Sequence, residues 1–267
     1  MTIPFAKLHG AKNDFLLTDL DAAPSQGLPD IAVAICDRFT GVGGDGWMLV
    51  DRTPGPDYDA SIRLFNSDGS EPEISGNGTR CAAALLLLDH PALENIRIRT
   101  AAGTKHLKVV SRHGLEILFE MNMGAIRVLD LAATVQGRDA VIVDAGNPQC
   151  AMPVADFDFD WRAVGKAVEW DPKFPKRTNV SFIRAVDRHE IEVRFWERGA
   201  GETNSSGTGS TGAAVAAVAR GLAESPVTVQ TPAGPLHLRL DGDTVLLTGP
   251  AELVAQGTYQ YHAAGQR

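Results

Sequence analysis

The sequence predicts an α+β protein built of two pseudo-symmetric halves, and three observations carry that prediction. The first is an internal repeat. Ser75-Gly76-Asn77-Gly78-Thr79-Arg80-Cys81-Ala82-Ala83 and Ser206-Gly207-Thr208-Gly209-Ser210-Thr211-Gly212-Ala213-Ala214 share S-G-x-G-x-x-x-A-A at an offset of 131 residues, and Thr100-Ala101-Ala102-Gly103 keeps the same offset from Thr231-Pro232-Ala233-Gly234. Glycine and alanine are common enough for one match by chance, but a shared register points to duplication of a domain-sized unit. The second is the order of elements in each half: a β-rich stretch, a Gly/Ser/Asn loop, an Ala/Leu-rich run, then further strands. The third is the lack of regular βαβ alternation, which argues against a doubly wound sheet.

Taken along the chain, residues 31–38 form an apolar, helical run, and Trp47-Met48-Leu49-Val50 reads as a strand. Residues 62–65 and 191–195 alternate as strands leading into the repeated loops. The runs 81–89 and 212–222 are rich in helix formers and read as buried helices, the second closed by Gly221. Strands follow at 96–99, 107–110, 227–229 and 244–247. The seam between halves falls at residues 124–138, giving a first domain of 1–125 and a second of 126–267. His106 and His237 are repeat-related strand residues with structural roles; Trp161 and Trp170, in a charged stretch, are read as surface packing or a partner contact.

Composition narrows the function. The chain of 267 residues has a formal net charge of -8, which provides no broad basic surface for nucleic acid. Three cysteines, Cys36, Cys81 and Cys150, form neither a Cys-x-x-Cys pair nor a zinc-spaced cluster, so a disulfide scaffold or zinc module is not expected and a reducing compartment is. The N-terminal residues lack signal-peptide order and no apolar run reaches the ~20 residues of a membrane span, so a cytoplasmic protein is the expectation. Gly41-Val42-Gly43-Gly44-Asp45-Gly46 satisfies G-x-G-x-x-G, but a helix precedes it and a strand follows, the reverse of a dinucleotide site. With no phosphate-loop, calcium-loop or zinc-protease motif either, cofactor-free chemistry is expected.

Each S-G-x-G loop stands where a helix begins. The serine can cap the helix, and the following backbone N–H groups, helped by the helix dipole, suit a carboxylate or phosphate. Two such loops from two related halves could hold one small anionic ligand in a cleft between them. If the residue opening each loop is an acid/base group, one lies on each side of the ligand, as inversion of a carbon by proton transfer requires.

The blocks Phe5-Ala6-Lys7-Leu8-His9-Gly10-Ala11-Lys12-Asn13-Asp14-Phe15, Cys36-Asp37-Arg38, Gly41-Val42-Gly43-Gly44-Asp45, Phe65-Asn66-Ser67-Asp68-Gly69-Ser70-Glu71, Ser75-Gly76-Asn77-Gly78-Thr79-Arg80-Cys81, Gly146-Asn147-Pro148, Thr178-Asn179-Val180 and Glu197-Arg198-Gly199-Ala200-Gly201-Glu202-Thr203 resemble diaminopimelate epimerase, in that family's order and over nearly the whole chain. The resemblance implies a pair of α+β domains, each a barrel-like sheet around a central helix, with an active-site cleft between them. It further implies cofactor-independent epimerisation of LL- to meso-diaminopimelate on the lysine and peptidoglycan route, no metal, a small amino-acid substrate, and the homodimer that members often form.

In that family two cysteines act as the acid/base pair; their positions fall on Ser75 and Ser206. Glu197 matches the partner of the second, whereas Gln149 stands at the position of the histidine partner of the first. Gly46 replaces a glutamine common after the Gly-rich aspartate. Asn13, Asn66, Asn147, Asn179, Glu197 and Arg198 match substrate-binding residues, Gln149 is expected to line the same site, and the backbone of Gly76, Asn77, Gly207 and Thr208 matches the α-carboxylate cradle. A thiol has a reference pKa of about 8.5 and a serine hydroxyl is a far weaker acid, so two serines are poor at direct α-proton exchange. Three readings are open: an epimerase or racemase using Ser75 and Ser206; the same fold with a changed reaction, such as a hydroxy-amino-acid dehydratase; and a disabled amino-acid-binding homologue. A laboratory change of two cysteines alone would have kept the histidine, so Gln149 and Gly46 point to natural divergence.

Overall fold

The computed structural model describes residues 1–262. In chain order its elements are β1 (Thr2–Gly10), β2 (Asn13–Asp19), a 3-10 turn (Leu20–Ala22), α1 (Leu28–Cys36), β3 (Gly46–Asp51), β4 (Ala60–Asn66), α2 (Gly76–Asp89), β5 (Asn95–Thr100), β6 (Gly103–His113), β7 (Glu116–Ala125), β8 (Arg127–Val135), β9 (Arg138–Asp144), β10 (Pro148–Pro153), α3 (Trp161–Glu169), β11 (Asn179–Asp187), β12 (Glu190–Glu197), β13 (Gly201–Thr203), α4 (Gly207–Ala219), β14 (Val227–Thr231), β15 (Gly234–Asp241) and β16 (Thr244–Gln260). Two compact units emerge. The first is Met1–Phe119 with the described residues from Pro250 onward; the second is Glu120–Gly249.

In the first unit the strand order is β1-β2-β3-β4-β5-β6-β7-β16, and β16 pairs back onto β1, closing an eight-stranded barrel. Pairing is parallel at β2/β3 and β4/β5 and antiparallel at β1/β2, β3/β4, β5/β6 and β1/β16. In the second unit β9-β10-β11-β12-β14-β15 repeats that pattern, parallel at β10/β11 and β12/β14, with β8 antiparallel to β9, the start of β16 antiparallel to β15, and β13 on β12. The fold is α+β as the sequence predicts. Four helical crossovers are present all the same, one bridging each parallel pair, but they are set among antiparallel pairs and not in regular βαβ alternation.

A single cut at 125/126 also departs from the structure. The first unit reclaims the chain from Pro250, because its sheet closes through the ladder running from Thr2↔Gln260 to His9↔Glu252.

α2 and α4 are the central helices. Every residue from Gly76 to Leu87 and from Gly207 to Ala217 is buried, the signature of a helix enclosed on all sides rather than amphipathic. α2 packs on β1, β2, β5 and β6, and α4 on β9, β10, β11 and β12. Both helices start five residues before the Ala/Leu-rich runs read from sequence, with Gly-Asn-Gly-Thr-Arg and Gly-Thr-Gly-Ser-Thr forming their first turns. Low intrinsic propensity is overridden there by a serine cap and complete burial. α4 ends as read: Gly221 has φ +68, its N–H reaches the Val218 carbonyl, and the Leu222 N–H reaches that of Ala217, a Schellman closure.

The duplication extends to hydrogen bonds. Thr100 Oγ1 donates to the Gly103 carbonyl and accepts from the Ala102 N–H; Thr231 does the same with Gly234 and Ala233. The Ala102 N–H reaches the Glu73 carbonyl and the Ala233 N–H that of Asn204, both at 3.1 Å. These turns pin the segment just before each repeated serine.

On the opposite faces, α1 sets Ile31 and Ile35 against Trp47, Leu49 and Phe65, and α3 sets Trp161 and Val168 against Cys150, Met152 and Phe182. Trp161 is thus a core residue, contrary to the surface reading; only Trp170 is exposed, with Arg177 over its ring.

Candidate active site

Ser75 and Ser206 are the N-caps of α2 and α4. Ser75 Oγ accepts from the Gly78 N–H and Ser206 Oγ from the Gly209 N–H, each at 3.1 Å. A Cβ at Gly209 would sit 2.9 Å from Ser206 Oγ and from Phe195, and one at Gly78 would sit 2.7 Å from Met48. The second glycine of S-G-x-G therefore lets the helix turn close on the cap. In both loops the backbone N–H groups after the serine face the end of the helix, where its dipole favours an anion.

The caps differ in their second partner. Ser206 Oγ donates to Glu197 Oε2 at 2.8 Å, and Thr203 Oγ1 donates to Glu197 Oε1 at 2.6 Å. Glu197 is the last residue of β12, and β13 folds back on it through the Glu197↔Gly201 pair, which brings Thr203 within reach. Ser206 is 2% exposed, so this hydroxyl–carboxylate contact lies largely out of water. For Ser75 the cap bond is the hydroxyl's one contact among the described residues.

Around α4, Gln149 Nε2 donates to Asn147 Oδ1 at 2.7 Å and to Thr208 Oγ1 at 3.2 Å, while Asn147 Nδ2 reaches Thr208 Oγ1 at 3.3 Å. Gln149 is buried and, among the described residues, its Oε1 has no hydrogen-bond partner. Its stem lies on Gly212, where a Cβ would come within 3.1 Å. The parallel pairing of β10 and β11 sets Gln149 opposite Asn179; Asn179 Nδ2 donates to the Pro148 carbonyl and its Oδ1 accepts from the Arg198 N–H, both at 3.0 Å. The Arg198 guanidinium reaches the Lys176 carbonyl.

In the first unit, Asn13 opens β2 and is joined to Asn77 of α2, with Asn77 Nδ2 donating to Asn13 Oδ1 at 3.1 Å. Asn66 is not drawn into that pair: its Nδ2 donates to Ser70 Oγ at 3.0 Å. Three residues that sequence reasoning left without a role stand beside the assigned ones. Asp45 accepts from Asn13 Nδ2 at 2.6 Å. Arg80 is wholly buried, donates to Asn77 Oδ1 at 2.5 Å and to the Pro250 carbonyl at 3.0 Å, and its Nη1 has no partner among the described residues. Burial lowers its pKa to about 10, so the guanidinium is still charged at neutral pH. Thr203 completes the Glu197 contacts. Arg80 was legible as a lone charge opening an apolar helix; Asp45 and Thr203 carry no such signal.

Electrostatics separate the aspartates. Burial pushes Asp14 up, but hydrogen bonds from Arg38 and Lys7 outweigh it and hold the carboxyl below its ordinary range. Asp45 is raised, by burial and then by the neighbouring Asp14 charge. Cys36, Cys81 and Cys150 are all buried, and burial pushes each thiol up to about 12. None can serve as a thiolate base near neutral pH.

The G-x-G-x-x-G segment is engaged elsewhere. The N–H groups of Val42 and Gly43 bind the Ile35 carbonyl and that of Gly44 binds Cys36, closing the C-terminus of α1; none is left to cradle a phosphate. Gly46 lies in tight quarters, since a Cβ there would meet the Phe65 carbonyl at 2.7 Å. Among the described residues no group of three or more His, Cys, Asp or Glu side chains is placed to hold a metal ion, and no helix is long and apolar enough to cross a membrane.

The family model for diaminopimelate epimerase matches residues 5–129 and 141–254. The chain belongs to the diaminopimelate epimerase family. It is 38% identical over 276 residues to the diaminopimelate epimerase of Pseudomonas fluorescens, and 37% identical over 278 residues to that of Pelotomaculum thermopropionicum; each alignment covers 96% of this chain and 99% of the relative. A crystal structure of a hydroxyproline epimerase from Agrobacterium vitis, with bound trans-4-hydroxy-L-proline, has the same fold, with a TM-score of 0.73 at 14% identity over 99% of this chain and 94% of that one. Within this family the serine caps, the Glu197 dyad and the buried Gln149 are the features to be explained.

Proposed function

We propose that this chain is a cofactor-independent amino-acid epimerase acting on diaminopimelate or a closely similar diamino acid, with Ser75 and Ser206 as the proton-transfer groups on the two faces of Cα. The observation that carries the reading is the Ser206–Glu197 contact at the N-terminus of α4. A hydroxyl alone is a weak base, but a hydroxyl that hands its proton to a carboxylate as it takes one from carbon borrows the basicity of that carboxylate. In the forward direction Ser206 Oγ takes the Cα proton while its own passes to Glu197 Oε2. Ser75 then delivers its proton to the opposite face and recovers one from solvent. The charge that develops on the substrate carboxylate is stabilised by the N–H groups of Gly76, Asn77, Gly207 and Thr208. Thr203 keeps the other Glu197 oxygen in place.

Asn13, Asn147 and Asn179 each commit the side-chain oxygen to a protein donor and one N–H to a protein acceptor. What each offers a ligand is the second N–H, which suits the acceptor-only carboxylate groups of such a substrate. In this reading Asn66 and Arg198 complete the far end of the substrate site and Gln149 lines it without exchanging protons. The same reading carries a cytoplasmic enzyme and the homodimer frequent in the family.

Incubation of LL- and meso-diaminopimelate in deuterated water tests the proposal. Deuterium at Cα with inversion, abolished in Glu197→Gln, is the expected result. Deuterium without inversion would leave a single-base enzyme working from the Ser206 side, a reading that the bare Ser75 hydroxyl and the non-titrating Gln149 favour. Calorimetric binding with no exchange would overturn catalysis altogether.

A further inference from the structure

Four polar side chains in the first unit stand in single file. Arg80 Nη2 donates to Asn77 Oδ1, Asn77 Nδ2 donates to Asn13 Oδ1, and Asn13 Nδ2 donates to Asp45 Oδ2. Asp45 Oδ2 also accepts from the Asp14 N–H at 3.1 Å, and its Oδ1 accepts from Arg38 Nη2 at 2.8 Å. The file has a sense. A guanidinium can only donate and a carboxylate can only accept, whereas each of the two amides between them could in isolation point either way. Asn13 and Asn77 are 6% and 0% exposed, so a reversed amide would face a donor with a donor, or an acceptor with an acceptor, away from water.

We propose that Asp45 is a positioning residue that fixes the sense of the Asn13 amide, so that Asn13 presents an N–H, never its oxygen, to a substrate carboxylate. The inference rests on the reading above, in which Asn13 binds the amino acid. Asp45 itself stands behind Asn13, and its two oxygens are engaged by Asn13, Asp14 and Arg38. Its effect is therefore on affinity rather than on proton transfer.

The side-chain amide of Asn13, assigned by its loss in Asn13→Ala, reports the file directly in 15N-labelled protein. In the wild type one Asn13 amide proton is expected to be shifted downfield and slow to exchange with solvent. In Asp45→Ala that signature disappears, and the Kd for meso-diaminopimelate rises by about tenfold with no matching fall in melting temperature, the effect of losing a hydrogen bond to a charged group. Asp45→Asn is the rescue. Its carbonyl oxygen can take the side with two donors, and Arg38, left facing an amide N–H in place of an oxygen, keeps its bonds to Asp14 and its access to solvent, so Kd stays within about threefold and the Asn13 signature persists. An unchanged Asn13 signal and Kd in Asp45→Ala overturns the proposal, as does an equal loss in Asp45→Asn. If the wild type binds no diaminopimelate, the substrate reading fails separately and the amide spectra still decide the positioning. If Asp45→Ala does not fold, the wild-type and Asp45→Asn spectra decide it, and rapid exchange at Asn13 in the wild type overturns it.

Discussion

Ser75 and Ser206 occupy equivalent helix positions in unequal surroundings. Ser206 is backed by Glu197, which is itself steadied by Thr203; among the described residues Ser75 has only the Gly78 N–H and the field of its helix. A hydroxyl facing a carboxylate can relay a proton, while a hydroxyl facing an N–H can be stabilised once it has lost one. The three cysteines do not compensate, since burial raises every thiol to about 12. In the proposed mechanism the chemistry is therefore limited by the acidity of these two hydroxyls. Replacing Ser75 and Ser206 together by cysteine is expected to raise the rate of Cα deuterium exchange by about 100-fold or more, because a thiol titrates far closer to neutral pH. An unchanged rate would mean that proton transfer at these positions is not what limits the enzyme.

At the scale of the element, the helix caps have a structural duty separable from chemistry. Ser75→Ala removes one cap bond and is expected to destabilise the protein by about 1 kcal/mol, lowering the melting temperature by roughly 2–4 °C. Ser206→Ala also strips a donor from the half-buried Glu197, so it should cost more; differential scanning calorimetry that gives equal losses would show that the Glu197 contact adds nothing to stability. These elements mark how far the sequence could be read. Both S-G-x-G caps were legible because a serine before glycine-spaced small residues has a known use, and the repeat confirmed the register. The helix starts were missed by five residues because glycine, asparagine and threonine argue locally against a helix, and only burial overrules them. Most members of the Asn13, Asn147 and Gln149 networks were named through family resemblance. Asp45 lies in a family block but received no role, since its contact with Asn13 depends on a loop that ends α1 and returns beside β2, a placement no local pattern encodes. Trp161 was misread because charged neighbours dominate its stretch, although the side chain packs inward on Phe182.

For the whole molecule, the informative departure from the sequence reading is the first unit's dependence on the far end of the chain. Its barrel closes only when β16 pairs with β1, from Thr2↔Gln260 to His9↔Glu252, and Arg80 at its centre takes the Pro250 carbonyl. A chain stopped after Gly249 is therefore expected to lose the first unit while keeping the second. Limited proteolysis followed by mass spectrometry should find early cleavage within residues 1–119 and protection across 120–249. Equal protection of both would show that the barrel stands without its last strand.

Synthesis on the ribosome runs from one end to the other, and that order bears on the same strand. The second unit is contiguous, so all of it has emerged once Gly249 is clear of the exit tunnel. The first unit, although its residues emerge first, must wait with the free edges of β1 and β7 exposed to pairing with other chains until β16, which pairs with both, has followed. The half whose residues emerge first is thus the half whose sheet closes later, and its unpaired edges are the ones left open in the interval.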